Sequence, residues 1–234
     1  LPLNTYYIRM SRDKKNLQEW DKLYQSTEQR IWGDNPIEFL FDYVEQFEKT
    51  LNTSSKILDA GTGEGRNLSL ISRIPGQLHA VDGSKHALSK IPIELKNKID
   101  IQQALLHELP YENDTFDLIF GIDIFETLPN IQDVLNEFVR ILKKDGNLIC
   151  NIPSEEDTIY GIDMENPIEE ENAWMYQNKY YYKFYSPDEV MHMFSNAGLR
   201  VISNKRYEWM EQAHPNFRSN DHKHISQVYV GSKI

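Results

Sequence analysis

Between residues 56 and about 152, short apolar runs alternate with longer segments whose apolar residues recur at helical spacing. The apolar runs predict five strands, at residues 56–60, 77–82, 99–104, 116–121 and 147–152. The intervening segments predict helices at 66–74, from 84 to about 95 with an interruption at Pro92, and at 131–142, followed by a turn at 143–146. Strands and helices that alternate in this way build a parallel sheet covered on both faces. We therefore expect an α/β fold, a three-layer Rossmann-like sandwich.

The predicted core is flanked by further elements on both sides. Residues 16–50 show helical patterning, residues 154–185 form an insertion, and one more helix and two strands end the chain. We expect four regions: an N-terminal helical cap at 1–50, a ligand-binding core at 51–153, a lid insertion at 154–185, and a C-terminal helix with strands at 186–234. The last region is expected to complete the same domain as the core.

Composition narrows the classes of function. The chain has 234 residues, 40% of them hydrophobic, and a formal net charge of -11. Such an acidic chain lacks the basic surface that binds phosphates, which disfavours nucleic acid as a partner.

The single Cys150 forms no intramolecular disulfide, and the sequence has no run of about 18 apolar residues to span a bilayer. We expect a cytoplasmic protein without a membrane partner. The chain opens on Leu1 rather than Met, which leaves room for a removed targeting segment.

Three glycines follow the first predicted strand. Gly61, Gly63 and Gly65 are spaced two residues apart, after an apolar run that ends in Asp59. Glycine lets a ligand approach the backbone, because it has no Cβ and adopts positive φ. The spacing differs from the G-x-G-x-x-G of dinucleotide sites, and the loop lacks the Gly-Lys-Ser/Thr end of a phosphate-binding P-loop. A ligand with positive charge and no phosphate fits better, and S-adenosylmethionine is such a ligand.

A second carboxylate supports this ligand. Asp82 ends the second predicted strand, close to the roughly 20-residue interval after the glycine loop at which an acidic residue reaches ribose hydroxyls in doubly wound folds. We therefore expect Asp82 to bind the ribose.

Several motifs together identify a family. The stretches DAGTGEG at 59–65, AVDGS at 80–84, LPYENDTFDLIF at 109–120 and VRILKKDG at 139–146 resemble class I S-adenosylmethionine-dependent methyltransferases. Further motifs, W-D-x-x-Y from Trp20, W-G-x-x-P from Trp32 and G-E-G-R-N from Gly63, are similar to the small-molecule branch that includes thiopurine and tellurite-resistance methyltransferases. The resemblance implies a seven-stranded, mostly parallel sheet whose last strand, at 224–233, is antiparallel. It also implies S-adenosylmethionine as the cofactor and a small-molecule methyl acceptor.

By this resemblance, twelve residues are expected to bind the cofactor: Asp59, Gly61, Thr62, Gly63, Gly65, Asp82, Gly83, Ser84, Leu105, Leu106, Gly121 and Asp123. Much of the family has an acidic residue after the third strand that binds the adenine amino group, but here Leu105 stands in that position. We expect backbone groups and apolar packing of Leu105 and Leu106 to hold adenine, with His107 as a polar alternative. Asp123 is expected to contact the methionine end or the acceptor, or else to be a solvated loop residue. Glu126 is interpreted as a carboxylate at a helix start.

The insertion carries information on the acceptor. It begins with eight carboxylates, Glu155, Glu156, Asp157, Asp163, Glu165, Glu169, Glu170 and Glu171, and continues into seven aromatic residues between 174 and 185. One hypothesis is a lid that places aromatic faces and negative potential over the methyl donor, which suits a small amine or aromatic substrate. The alternative is a solvated acidic loop whose aromatic residues only pack against the sheet. The residues expected to contact the acceptor are Trp20, Tyr24, Trp32, Trp174, Tyr176 and Tyr182.

Three histidines near the end of the chain are candidate catalytic residues. His222 and His224 would share one face of an extended segment, and His214 precedes them. They are candidates for a general base or for zinc or iron ligands, and the alternative is a polar loop that leads into the last strand. Because the spacing alone is weak evidence, we assign no metal from the sequence.

The expected function is transfer of a methyl group from S-adenosylmethionine to an N, O or S atom of a small molecule. Two alternatives stay open at this point: a protein or RNA acceptor, and a protein that binds S-adenosylmethionine without catalysis. The sequence leaves the oligomeric state undetermined.

Overall fold

The computed structural model describes residues 3–158, 164–168 and 172–234. Four acidic residues expected in the lid, Asp163, Glu169, Glu170 and Glu171, lie outside the described residues, as does the side chain of Glu165.

The described chain contains ten strands and seven α-helices. In chain order the strands are β1 (Lys56–Ala60), β2 (Gln77–Asp82), β3 (Asp100–Gln103), β4 (Phe116–Gly121), β5 (Leu142–Pro153), β6 (Met164–Pro167), β7 (Ala173–Tyr176), β8 (Tyr180–Lys183), β9 (Leu199–Glu211) and β10 (His222–Lys233). The helices are α1 (Leu3–Gln25), α2 (Leu40–Glu48), α3 (Leu68–Ile71), α4 (Lys85–Ser89), α5 (Ile93–Lys96), α6 (Ile131–Ile141) and α7 (Pro187–Ala197). A short 3-10 helix, Phe125–Thr127, follows β4.

Seven strands form the main sheet in the order β3-β2-β1-β4-β5-β10-β9. The pairs among β1 to β5 are parallel, whereas β10 is antiparallel to both β5 and β9. This arrangement confirms the expected Rossmann-like sheet with an antiparallel last strand. The order reverses between β1 and β4, and ligands of open α/β sheets bind at such a reversal, beyond the carboxyl ends of the strands.

The predicted core elements are present with shifted ends. β5 already begins at Leu142, because the predicted turn at 143–146 is an irregularity inside the strand, where pairing with β4 jumps from Phe116↔Leu142 to Leu118↔Asn147. α3 is shorter than predicted, because Gly65 adopts a left-handed φ of 76° and residues 65–67 form a turn. Pro92 divides α4 from α5, as predicted.

The helical prediction for residues 16–50 was wrong between α1 and α2. Gly33 has a φ of 73° there, and Pro36 follows it. This loop is fixed by the buried Glu64, whose Oε2 accepts hydrogen bonds from Ile31 N at 2.7 Å and Trp32 N at 3.3 Å. The loop is therefore ordered by side-chain contacts, which helical periodicity does not report.

The insertion forms a second, three-stranded antiparallel sheet in the order β6-β7-β8. α7 follows it and begins with a capping box, in which Ser186 accepts from Glu189 N and the Glu189 side chain accepts from Ser186 N. Gly198, with a φ of 88°, ends that helix.

The hydrophobic core has one layer on each face of the main sheet and a third, aromatic cluster. The aromatic cluster joins α1 to the small sheet and includes Trp20, Tyr176, Tyr180, Tyr182 and Phe217. It packs α1 and the small sheet together near the carboxyl ends of the parallel strands. Within the described part of the chain, no helix combines the length and apolar character that crossing a bilayer requires.

Truncation of a core strand tests this layering. Ile149→Ala should lower the free energy of unfolding by about 2–5 kcal/mol, because Ile149 is fully buried in β5 and its loss leaves a cavity. The matched control is Ile202→Ala on the edge strand β9, where the side chain is 52% exposed. That variant should change by less than about 1 kcal/mol in the same urea titrations. Equal losses in both variants would contradict the placement of Ile149 in the core.

Candidate functional site

A cavity lies where the sheet order reverses, at the carboxyl ends of the parallel strands. Its walls come from α1, from the loops after β1 to β4, and from the segment that joins β9 to β10. Eight of the expected cofactor residues line it: Gly61, Thr62, Gly63, Asp82, Gly83, Leu105, Leu106 and Asp123.

The glycine loop turns sharply after β1. Gly61 and Gly63 adopt left-handed φ values of 73° and 54°. A Cβ on Gly61 would lie 2.5 Å from Ile124 Cγ2, so a larger residue would displace the chain after β4. The backbone N–H groups of Gly61 and Thr62 both donate to Val81 O, at 2.8 and 3.0 Å, which fixes the loop against β2.

Asp82 joins the glycine loop to the end of β2. Its Oδ2 accepts from Gly63 N at 2.9 Å, and its Oδ1 accepts from Ser84 N at 2.8 Å. Burial raises the pKa of Asp82 above its usual range, against the effect of these two hydrogen bonds. Each carboxylate oxygen keeps a second lone pair that can accept from a ligand.

The other four expected cofactor residues, Asp59, Gly65, Ser84 and Gly121, do not line the cavity but support it. Asp59 Oδ2 accepts from Thr62 Oγ1 at 2.6 Å, and burial raises the pKa of Asp59 to about 6. Ser84 caps α4 by accepting from Ala87 N at 3.0 Å. The neighbouring Glu64 also does not line the cavity, and its side chain pairs with Lys90 Nζ at 3.0 Å.

At the far side of the cavity, Leu105, Leu106 and His107 form the wall expected for adenine. Leu105 is a large apolar side chain, yet it is 41% exposed. It stands at the position where much of the family has an acidic residue. His107 Nδ1 lies 3.2 Å from Asn130 Nδ2, which also lines the cavity.

An aromatic wall faces the glycine loop. Of the residues expected to contact the acceptor, Trp20, Tyr24, Trp32 and Tyr182 line the cavity. Trp174 and Tyr176 are outside the lining and instead pack within the aromatic cluster. The sequence analysis missed Phe217, whose ring centroid lies 5.5 Å from that of Trp20.

The two tryptophan N–H groups of this aromatic wall differ in whether they have a hydrogen-bond acceptor. Trp32 Nε1 donates to Tyr24 Oη at 2.9 Å. Trp20 Nε1 is buried and has no hydrogen-bond partner among the described residues. A buried donor without a partner is costly, so it marks a position where a ligand atom can accept a hydrogen bond.

Two carboxylates lie beyond β4, the exposed Asp123 and the buried Glu126. Asp123, at a φ of 53°, accepts from Asn151 Nδ2 at 2.6 Å and donates its backbone N–H to Asn151 Oδ1 at 2.8 Å. Glu126 lies in the 3-10 helix, where its Oε1 is 3.4 Å from Tyr182 Oη and its Oε2 has no partner among the described residues. Burial, reinforced by the charge of Asp123, raises the pKa of Glu126 to about 8. Glu126 lies in the first turn of this 3-10 helix, as expected, and also lines the cavity.

The three candidate histidines converge at one end of the cavity. His222 Nε2 lies 3.0 Å from His224 Nε2, which confirms that the two rings share one face of β10. Glu211, the last residue of β9, joins them, with its Oε2 3.2 Å from His224 Nε2 and 3.4 Å from His214 Nε2. Glu211 was not predicted as a site residue, although the sequence contains an E-x-x-H pattern from Glu211 to His214, followed by H-x-H from His222 to His224.

A fifth residue, Asp157, supports this group. It was expected in an acidic lid loop, but it is buried, and its Oδ2 accepts from His224 Nδ1 at 3.0 Å. Burial works against a charged His224 ring, but the hydrogen bonds to Asp157 and Glu211 outweigh it and raise the pKa of His224 to about 10. Burial lowers the pKa of His222 to about 4.

Comparison with known proteins agrees with this geometry. A family model described as a methyltransferase domain matches residues 28–204. A probable S-adenosylmethionine-dependent methyltransferase of Mycobacterium tuberculosis is 28% identical over 102 residues, which cover 44% of this chain and 37% of that protein's length. The ubiquinone biosynthesis O-methyltransferase of Rickettsia canadensis is 25% identical over 206 residues, covering 82% of this chain and 85% of that protein.

The fold also matches a solved structure. The crystal structure of a putative methyltransferase from Bacillus halodurans superposes with a TM-score of 0.64 at 14% identity, covering 82% of this chain and 98% of that one. The family model extends over most of the chain, including the glycine loop and Asp82. The chain therefore belongs to the methyltransferase domain family, and its fold is that of the class I S-adenosylmethionine-dependent methyltransferases.

Proposed function

We propose that the protein transfers the methyl group of S-adenosylmethionine to an N, O or S atom of a small molecule that carries an aromatic or apolar part. The observation that carries this proposal is the continuity of one cavity. It extends from the glycine loop and Asp82 to the aromatic wall and the histidines, and α1 and the small sheet contribute to its walls.

The residues present fit the cofactor. Asp82 lines the cavity, and each of its carboxylate oxygens keeps a lone pair that can accept from a ribose hydroxyl. Gly61 and Gly63 present a backbone without Cβ atoms. Leu105 and Leu106 offer an apolar surface and backbone groups to adenine. When bound, S-adenosylmethionine supplies a methyl group on a positively charged sulfur, a ready leaving group. The protein then has to align the acceptor and exclude water.

The aromatic wall supports a small acceptor. Trp20, Trp32 and Phe217 lie with ring centroids 5.2 to 6.2 Å from one another, so the three rings pack together into one aromatic surface of the cavity. The Trp20 N–H adds one donor for a polar atom of that molecule. Apolar walls with few placed polar groups are typical of small-molecule sites.

The charges of the lining disfavour a phosphate-bearing acceptor. Its described acidic residues are Asp13, Asp82, Asp123, Glu126 and Glu211, whereas its cationic residues besides histidine are Arg66 and Arg218. Arg66 also forms an ion pair with Glu211. At neutral pH the raised pKa of Glu126 keeps that carboxyl mostly protonated and the raised pKa of His224 keeps that ring charged, so the lining has only a small excess of negative charge. The described lining offers no cationic surface to a nucleic acid backbone.

The ribose assignment is tested by binding. Asp82→Asn should weaken the affinity for S-adenosylmethionine about 10- to 100-fold, because it removes the charge from hydrogen bonds worth about 1.5–3 kcal/mol. Isothermal titration calorimetry measures the change, and Asp133→Asn, at an exposed site outside the cavity, should bind as the unmodified protein does. Unchanged affinity in the folded Asp82→Asn protein would contradict the ribose role.

The acceptor class is tested by turnover. We expect formation of S-adenosylhomocysteine when the protein is supplied with S-adenosylmethionine and a panel of small aromatic amines, phenols and thiols. Total RNA and a protein extract, each freed of small molecules, are the parallel substrates. Transfer to RNA or protein alone would overturn the small-molecule acceptor, and cofactor binding without turnover on any substrate would favour a non-catalytic binding protein.

The aromatic wall is tested with two matched tryptophans. Trp20→Leu should raise KM for the acceptor about tenfold or more, because it removes ring contacts and the free N–H from the cavity wall. Trp174→Leu makes the same change at another half-buried tryptophan of the aromatic cluster that does not line the cavity. Its KM should stay within about twofold, and equal effects would show that Trp20 acts only through packing.

A further inference from the structure

Four potential metal ligands converge where β9, β10 and the segment between them meet. One ligand atom from each of Glu211, His214, His222 and His224 lies within 4.8 Å of the others. The closest separations are 3.0, 3.2 and 3.4 Å. Tetrahedral zinc with bonds of about 2.0–2.1 Å places its ligand atoms about 3.3 Å apart. Three of the six separations match this geometry, and the others, which reach at most 4.8 Å, would have to shorten for all four atoms to bind one ion.

Two of the rings have a fixed orientation and tautomer. His214 Nδ1 lies 3.2 Å from Ile31 O, and His222 Nδ1 lies 3.1 Å from Asn220 O. A carbonyl oxygen only accepts, so each Nδ1 must carry the proton. Each Nε2 of a neutral ring then presents its lone pair to the centre of the cluster.

The third ring is held by a carboxylate. His224 Nδ1 lies 3.0 Å from Asp157 Oδ2, which also accepts from Ile225 N at 2.8 Å. A carboxylate that orients the outer nitrogen of a histidine is a recurrent support of metal-binding imidazoles. Asp157 is itself 3% exposed, so this support is part of the core.

The scaffold of the cluster is rigid. Glu211 and His222 are partners in the β9–β10 ladder, and His224 is two residues farther along β10. Arg66 pairs with Glu211 Oε1 and leaves Oε2 facing the histidines. His214 and His222 are only 6% and 5% exposed.

We propose that His214, His222, His224 and Glu211 bind a divalent transition metal ion, with zinc as the best match. Three imidazoles and one carboxylate suit zinc and its first-row neighbours, whereas magnesium and calcium prefer oxygen ligands. The sequence analysis had assigned no metal, because spacing alone does not show that Glu211 completes the set or that all three Nε2 atoms converge.

The position of the proposed metal site connects the ion to methyl transfer. The cluster lines the same cavity as Trp20 and Asp123. Four protein ligands fill a tetrahedral zinc, so an acceptor atom would reach the ion only as a fifth ligand. In that position the ion would lower the pKa of the acceptor atom, whose proton would pass to water before methyl transfer. This consequence rests on the proposed function, whereas metal binding itself does not.

The test uses the full chain after treatment with a chelator and dialysis, without cofactor or acceptor. Calorimetric titration with Zn²⁺ should show one equivalent bound per chain, and Co²⁺ should give visible absorption bands typical of a site with nitrogen ligands. Zn²⁺ should also raise the melting temperature, because it binds the folded state. Sub-stoichiometric binding together with an unchanged melting temperature would overturn the proposal without the use of any variant.

Variants locate the bound ion. His222→Gln and Glu211→Gln should each weaken Zn²⁺ affinity about tenfold or more and change the Co²⁺ spectrum. The matched control is His192→Gln, at an exposed histidine on α7, which should bind as the unmodified protein does. Affinity that persists in both ligand variants would overturn the site and show adventitious binding elsewhere.

A parallel titration with S-adenosylmethionine separates the two proposals. Binding of S-adenosylmethionine but not zinc would remove the metal site and leave the methyltransferase assignment intact. Zinc binding together with transfer to RNA or protein alone would keep the site and remove the small-molecule acceptor.

Discussion

The turn from Asp82 to Ser84 is the contact on which the rest of the site depends. Asp82 accepts from the backbone of Gly63, so it sets the distance between the glycine loop and β2. Ser84, two residues later, donates from its Oγ to Asp21 at 2.5 Å, and Asp21 also lies 2.9 Å from His86 Nδ1. One turn therefore positions the proposed ribose carboxylate and docks α1 above it. A change in this turn would disturb the cofactor end and the cover of the cavity together.

α1 is tied to the acceptor end by a second, independent contact. Asn16 donates from Nδ2 to Thr127 O at 2.7 Å and accepts from Tyr181 N at 3.0 Å. A single buried amide thus links the helix to the chain after β4 and to the small sheet. Burial of such an amide is favourable only when both of its ends are paired. These two anchors, Asp21 and Asn16, hold Trp20 of the same helix in the cavity wall, which makes α1 a structural part of the site.

The features that could be predicted from the sequence are those that local residue patterns determine. Five core strands follow from apolar runs of a few residues, and the glycine loop with Asp82 follows from a fixed interval of roughly 20 residues along the chain. The loop between α1 and α2 was missed, because its order comes from Glu64, more than 30 residues away. The small sheet was expected only as a lid insertion. Trp174 and Tyr176 were indistinguishable by composition from aromatic residues that do line the cavity, since a side chain's direction depends on tertiary packing.

The proposed set of metal ligands depends on one feature of the sheet topology. The parallel strands end at the cavity, and so does β9, whose last residue is Glu211. β10 is antiparallel and therefore begins at that same edge, which brings His222 beside Glu211 in the ladder. A parallel last strand would place His222 and His224 at the opposite edge of the sheet, far from Glu211. The pattern E-x-x-H and H-x-H becomes a set of converging ligands only because the sheet closes with a reversed strand. Because β10 runs antiparallel, it also places imidazole groups at the end of the cavity that is proposed to bind the acceptor. A wholly parallel sheet of this sequence would not place them there.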